Sequence, residues 1–319
     1  MDFNLQSRQI FPQAIAKPVA WAEGMRRFSP SAINEYMRCQ LLFFYNRVAK
    51  IKAPQKQAVI IEPNVLGSVF HKTAELFYLD FVEHGNPVIT PARLAPFLEP
   101  AADASLVFYV RRAMAEEQVG ENVLVEQIVK SFFKQLLRND SKLETFKIKG
   151  LETPRALTFN VLVNGAVRQV ELCGIIDRMD IVSDPTINDG AETLRIVDYK
   201  TNGSMEQALS MDALFTPGEK HPHYVLQTFL YALMVAPDVN NMPLMPTLFF
   251  VNKYGDKNFL PYIKYANEPL TDFAPLAQDF KFRLEKLLSE MLDEATPFKP
   301  TSVLQRCENC NYRLLCYGK

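Results

Sequence analysis

No apolar run in this 319-residue chain approaches the roughly 18 residues that a membrane-spanning helix needs. The first residues, Met1-Asp2-Phe3-Asn4-Leu5-Gln6, lack the charged-then-apolar layout of a signal peptide, so a cytoplasmic protein is expected. There is no Gly-x4-Gly-Lys-Ser/Thr phosphate loop, which excludes a recognisable ATPase motor. Internal repeats and low-complexity segments are missing as well. Net charge is equally scarce: 35 Lys and Arg against 36 Asp and Glu leave −1. A nucleic-acid partner would therefore have to meet a local basic surface. The candidates are Arg26 with Arg27, Lys50 with Lys52 and Lys56, Arg111 with Arg112, and the series Lys130, Lys134, Arg138, Lys142, Lys147 and Lys149. Each cluster alone reads first as a solvated helix face. What is present, 48% hydrophobic and 22% charged residues, describes a globular chain long enough for one elaborated domain or two.

Helices come first along the chain, then a sheet. Residues 1–27 have little periodicity and read as an extension or linker. Ser29 and Pro30 suit an N-cap and a first helical position, predicting a helix to about Val48. A second helix is predicted from about Gly67 to His84, with Phe70, Ala74, Phe77 and Phe81 as its core stripe. Prolines 87, 91, 96 and 100 mark a loop or broken helix, and helical stretches near 101–118 and 121–139 follow. Strands are predicted at 155–163, 166–173, 174–182 and 194–200, with Asn164-Gly165 as a hairpin turn and Asn188-Asp189-Gly190 as a second turn. A helix near 223–236, strands near 246–253 and 258–264, a helix near 271–294 and an irregular tail complete the pattern. The order describes a mixed α/β core with a helical insertion.

Two strands carry chemistry. Asp177 lies in the first and Asp198-Tyr199-Lys200 in the second, where alternation puts Asp198 and Lys200 on one side of the sheet. An acid on a mostly apolar face is costly unless compensated, and a divalent metal compensates it directly. Hard oxygen ligands favour Mg²⁺ or Mn²⁺, and Lys200 would position a water or stabilise charge on phosphorus. The bland alternative is an Asp177–Lys200 ion pair at a strand end. His71 and Glu75 share a flank of the second helix, with Gly67 one turn before, where a small residue would admit the sheet or a phosphate backbone. Gln227 and Tyr231 form another i, i+4 pair, after the lysine strand.

The series Gly67-x3-His71-x3-Glu75, Gly174-x2-Asp177-Arg178, Asp198-Tyr199-Lys200-Thr201 and Gln227-x3-Tyr231 resembles, in order and spacing, the motifs of RecB-type nucleases in the PD-(D/E)XK superfamily. The resemblance covers about residues 28–319 and implies a restriction-endonuclease-like core. It implies His71, Asp177, Asp198 and the Tyr199 carbonyl as metal ligands and Lys200 as catalytic lysine. Gln227 and Tyr231 would be accessory active-site or DNA-contact residues, and no role is carried over for Glu75. The expected division is an extension at 1–27 and a nuclease domain at 28–319, with a helical insertion at about 85–145.

Five cysteines in a cytoplasmic protein do not suggest disulfides. Cys307-x2-Cys310-x5-Cys316 lies in the tail and Cys39 on the first helix, while Cys173 reads as a buried thiol. A Cys-x2-Cys pair alone most often indicates zinc. Three tail cysteines with one distant partner resemble the iron–sulfur branch of this family, as in the AddB subunit of helicase–nuclease complexes. That resemblance implies a structural 4Fe–4S cluster on Cys39, Cys307, Cys310 and Cys316, with Zn²⁺ on the same thiolates as the alternative. The expected function is a DNase, an exonuclease on single strands or DNA ends in recombination and repair, with a helicase domain or subunit of an AddAB- or RecBCD-like complex as expected partner and no membrane partner. The competing readings are a non-catalytic DNA-binding or scaffolding module and, less favoured, a redox enzyme built on the cluster.

Overall fold

Ser29 and Pro30 start the first helix as their chemistry requires. A two-residue strand, β1 (Arg27–Phe28), precedes it, and the Ser29 hydroxyl accepts the Ala32 N–H at 3.2 Å to open α1 (Pro30–Arg38). The computed structural model describes residues 12–18, 21, 24, 27–52, 63–253 and 262–317. The helix expected to continue to Val48 breaks at Cys39, whose backbone is extended (φ −167°, ψ 119°). A turn at Gln40–Phe43 and a π-type turn at Phe44–Val48 follow. No proline or glycine causes the break; it falls on the residue whose sulfur faces the C-terminal tail.

The second helix, α2 (Pro63–Glu83), buries Phe70, Ala74 and Phe77 and packs Phe81 at the core edge, as the stripe predicts. Then come β2 (Val88–Ile89), α3 (Pro91–Leu98), α4 (Asp103–Glu116) and α5 (Val123–Asp140). On these helices most of the suspected basic clusters are ion-paired: Lys130 and Lys134 to Asp103, Arg111 to Glu126, Arg112 to Glu116.

The central hairpin is longer than the sequence pattern suggested. β3 (Thr145–Val163) begins well before residue 155, and the expected pair 166–173 and 174–182 is one strand, β4 (Ala166–Ser183). Gly150 and Pro154 obscured β3, but the strand absorbs them through a register shift between Ile148 and Gly150. Gly174 resembled a strand end, yet it is a place of close approach: a Cβ there would lie 2.9 Å from the Tyr231 ring and 3.3 Å from the Met234 methyl. Asn164 and Gly165 turn the hairpin with φ of 50° and 80°, as a type I′ turn requires.

Next come β5 (Thr193–Lys200), α6 (His223–Val235), β6 (Leu244–Phe250) and α7 (Ala274–Leu292). Asn188, Asp189 and Gly190 form the expected turn before β5. The expected strand 258–264 lies mostly outside the described residues; Lys264–Tyr265 joins Gln207–Ala208 and Glu268–Pro269 in a separate small sheet. The tail, expected to be irregular, contains helical turns at Gln305–Glu308 and Arg313–Tyr317. Part of the 1–27 stretch lies against the domain: Ile15 pairs with Phe298, and the Lys17 ammonium donates to the carbonyls of Glu290 and Asp293.

The main sheet has the order β2-β3-β4-β5-β6, with β1 alongside β4. Only the β5–β6 and β1–β4 pairs are parallel. Helices α1, α6 and α7 cover one face over one apolar core, while α2 to α5 cover the other over a second. This is the mixed α/β class expected. The last β4–β5 pair is Arg178 with Val197, so the two strands part where Asp177 and Asp198 sit.

Candidate active site and cysteine staple

Parting strands free the backbone groups and side chains at their ends. Asp177 uses this freedom to accept the Tyr199 N–H at 2.7 Å through Oδ2, while its Oδ1 lies 3.4 Å from His71 Nδ1 on α2. Asp198, 2% exposed, lies with its Oδ2 2.7 Å from the Lys200 ammonium. That contact is not aligned as a hydrogen bond, and Oδ2 has no hydrogen-bond partner. The ion pair weighed from the sequence, Asp177 with Lys200, is thus replaced by Asp198 with Lys200. Lys200 also lies over the Tyr224 ring, 5.1 Å from its centre.

The charges are unevenly matched. Burial raises the Asp198 carboxyl; Lys200 opposes this and the Asp177 charge adds to it, leaving it at about 6. Burial would raise Asp177 too, but His71 and then Lys200 hold it below the usual carboxylate range. Burial disfavours charge on His71, yet Asp177 and Glu152 outweigh it and lift the imidazole to about 10. Lys200 is likewise raised, because Asp198 and Asp177 overcome its desolvation.

Glu152 is the residue that sequence reasoning missed. It sits in β3 just past the bulge with φ of 43°, a conformation unusual for a glutamate, and its Oε1 lies 3.8 Å from His71 Nδ1. Ligand atoms of His71, Glu152 and Asp177 all fall within 4.8 Å of one another. The usable signal was an acid between Gly150 and Pro154, two residues that mark irregular strand backbone. Glu75 instead pairs with Lys72 at 2.7 Å. At Gly67 a Cβ would meet only the Thr201 hydroxyl, at an ordinary 3.5 Å, so close approach of the sheet does not require this glycine.

Three carboxylates, one lysine and one histidine converge, and one buried carboxylate oxygen lacks a hydrogen bond. A hard divalent cation fits this donor set: it supplies the missing positive charge, and oxygen with one imidazole suits Mg²⁺ or Mn²⁺. On α6, the Gln227 amide donates to Asp198 Oδ1 at 3.4 Å and to the Tyr231 hydroxyl at 3.1 Å, and its carbonyl accepts from Lys200 at 3.4 Å. Burial and then the Asp198 charge raise the Tyr231 hydroxyl above its ordinary pKa, so it stays protonated. The structure thus brings His71, Asp177, Asp198, Lys200, Gln227 and Tyr231 to one place.

The cysteines gather elsewhere. Cys39, Cys307 and Cys310 line a cavity of about 110 Å³ together with Arg38 and Arg306. Burial raises the Cys316 thiol; the Tyr45 hydroxyl bonds to it and opposes that rise, while Cys39, Cys310 and Cys307 add to it by their charge. Cys316 packs against the same apolar core as Cys39. Cys173, expected as a buried thiol, is only half-buried and lies apart, in a cleft with Gly174 and Tyr231.

The family model of the PD-(D/E)XK nuclease superfamily matches residues 27–317. No curated protein matches the chain in sequence. Among solved structures, that of SSO0001 is similar at 15% identity, covering 80% of this chain and 97% of its own, but its TM-score of 0.28 carries no argument.

Proposed function

The chain belongs to the PD-(D/E)XK nuclease superfamily, a membership that implies a nuclease-type phosphodiester hydrolase, and from that premise we propose a Mg²⁺- or Mn²⁺-dependent deoxyribonuclease acting on single strands or DNA ends in recombination and repair. One observation carries the reading: an excess of buried carboxylate over cation at the point where β4 and β5 part. His71, Asp177, Asp198 and the Tyr199 carbonyl would hold the metal. A bound divalent ion supplies a polarised phosphate and a more acidic water. Lys200, held by Asp198 and Gln227, stays charged and faces the negative charge that develops on the phosphoryl oxygens. Gln227 and Tyr231 orient Asp198 and Lys200 and present polar edges to the substrate.

Cys39, Cys307, Cys310 and Cys316 are proposed to bind a structural 4Fe–4S cluster tying α1 to the tail. Thiolate chemistry supports it, and so does the cavity that Cys39, Cys307 and Cys310 line. Resemblance to the AddB branch also supports a helicase domain or subunit as partner.

The test is cleavage of an end-labelled single strand by the purified protein with Mg²⁺ or Mn²⁺. Activity abolished by EDTA and by Asp198→Ala, with unchanged circular dichroism, is expected; cleavage surviving that substitution would refute the assignment. Iron and acid-labile sulfide in stoichiometric amounts are expected in anaerobically purified protein, and stoichiometric zinc in their place would refute the cluster.

A further inference from the structure

Between Ile148, opposite Asp180, and Gly150, opposite Met179, β3 carries one residue more than β4. The extra residue shifts all the pairing beyond it, so that Leu151 faces Arg178 and Thr153 faces Ile176. Glu152, between them, stands across from Asp177. Had the register of Ile148 and Asp180 simply continued, Leu151 would stand there, an apolar side chain in place of a carboxylate. The bulge therefore selects the residue that meets Asp177. Two like charges directly across an antiparallel pair destabilise it, so this pairing calls for a cation between them.

His71 marks where that cation would sit. Glu152 Oε1 and Asp177 Oδ1 lie 3.8 and 3.4 Å from the same ring nitrogen, Nδ1. A carboxylate that merely oriented a metal-bound imidazole would meet the other nitrogen, on the side away from the ion. Both separations exceed the ~2.7–3.2 Å of an N–H···O hydrogen bond. They fall in the range of about 3–4 Å between atoms that share one ion with ligand bonds near 2.1 Å. Asp177 commits Oδ2 to the Tyr199 N–H, which leaves Oδ1 for this point.

Access and charge agree with the geometry. The Asp177 side chain is 9% exposed, whereas those of His71 and Glu152 are each 30% exposed and line a cleft of about 470 Å³ with Gly67, Ser68 and Lys72. Lys72 does not neutralise the acids at that mouth, because Glu75 and Glu116 hold its ammonium at 2.7 and 3.2 Å. Lys200 is taken up by Asp198 at 2.7 Å. We propose that Glu152 is a direct ligand of the divalent ion, completing with His71 and Asp177 a seat that takes Mn²⁺ or Mg²⁺ before any DNA is present. The inference rests on the nuclease reading for the use of the metal and adds to it a ligand that strand alternation does not reveal.

Titration of the EDTA-stripped protein with Mn²⁺, without DNA, tests the assignment. Glu152→Gln should weaken Mn²⁺ binding roughly 10–100-fold, at least what the loss of a ligand's outer partner costs, with native circular dichroism. Glu152→Gly, which relaxes the backbone held at φ 43° while removing the carboxylate, should lose as much. In Mn²⁺-saturated Glu152→Gly the water-proton relaxation rate should rise, because an exchanging water takes the vacated position. Unchanged Mn²⁺ affinity in Glu152→Gln would overturn the proposal, and so would a loss confined to Glu152→Gly, which would make Glu152 a backbone element only. Glu152-dependent Mn²⁺ binding by a wild-type protein that cuts no DNA would leave the ligand assignment standing and remove the nuclease reading.

Discussion

Two clusters of buried charge sit on the same pair of strands, and they are built oppositely. Arg178, next to Asp177 in sequence, points to the helical side and meets Asp140 through two hydrogen bonds of 2.7 and 3.0 Å. Arg195 grips Asp180 with two bonds of 2.8 Å, Tyr78 donates to Asp140, and Arg178 lies over the rings of Tyr78 and Phe146. Two arginines and two aspartates cancel, and all four are at most 1% exposed. Where the strands part, Glu152 and Asp177 stand 3.8 and 3.4 Å from His71, Asp198 faces Lys200 at 2.7 Å, and three carboxylates meet one lysine and one histidine. A closed, neutral cluster holds the fold; an open, anionic one is arranged to receive something.

The largest expected contrast is in activity. Asp198→Ala and Lys200→Ala should each cut the cleavage rate on the order of 10³-fold or more, and the urea unfolding midpoint of Asp198→Ala should not fall, as followed by single-turnover assays and circular dichroism. Arg178→Ala should do the reverse. Leaving Asp140 without its two-bond partner should cost about 3–5 kcal/mol in urea denaturation, with a much smaller change in cleavage per folded molecule. Equal stability losses for Asp198→Ala and Arg178→Ala would erase the distinction.

Acidity should separate the clusters by sign. The Asp198 carboxyl is raised to about 6, chiefly by burial, so the folded protein binds its proton more tightly than the unfolded chain. Stability of the metal-free protein should therefore fall as pH rises from about 4 to about 6. Asp198→Asn should flatten that fall and stabilise the EDTA-treated protein at neutral pH, on the order of 2 kcal/mol. Asp140 is held below the usual carboxylate range because Arg178 outweighs its burial. Its contribution is present above that range and disappears only as pH drops through its depressed value. Thermal unfolding against pH in EDTA reads both slopes, and a flat profile in the wild type between pH 4 and 6 would contradict the account.

The smallest effect belongs to the packing behind the site. Gly174→Ala would place a methyl 2.9 Å from the Tyr231 ring. A loss of about 1 kcal/mol is expected, with a several-fold drop in cleavage as Tyr231 and Gln227 shift; unaltered kinetics would show that the tyrosine is not held by this contact.

Much of the site was legible because its residues follow regular periods. Asp198 and Lys200 share a strand face, His71 flanks a helical stripe, and Gln227 and Tyr231 lie one turn apart. What escaped was irregular. Glu152 depends on a bulge and a positive φ, which alternation does not encode, and the break at Cys39 arises from contacts between distant segments. The real partner of Arg178 was equally hidden, since Asp140 lies at the end of a helix far away in sequence and only the folded sheet brings them together.

Binding of Mn²⁺ to the EDTA-stripped protein, followed by isothermal titration, tests the central claim most directly. The account predicts stoichiometric binding that is lost in Asp177→Ala and tracks the recovery of single-strand cleavage. Cleavage in the absence of any bound divalent ion, or Mn²⁺ affinity unchanged by Asp177→Ala, would contradict it.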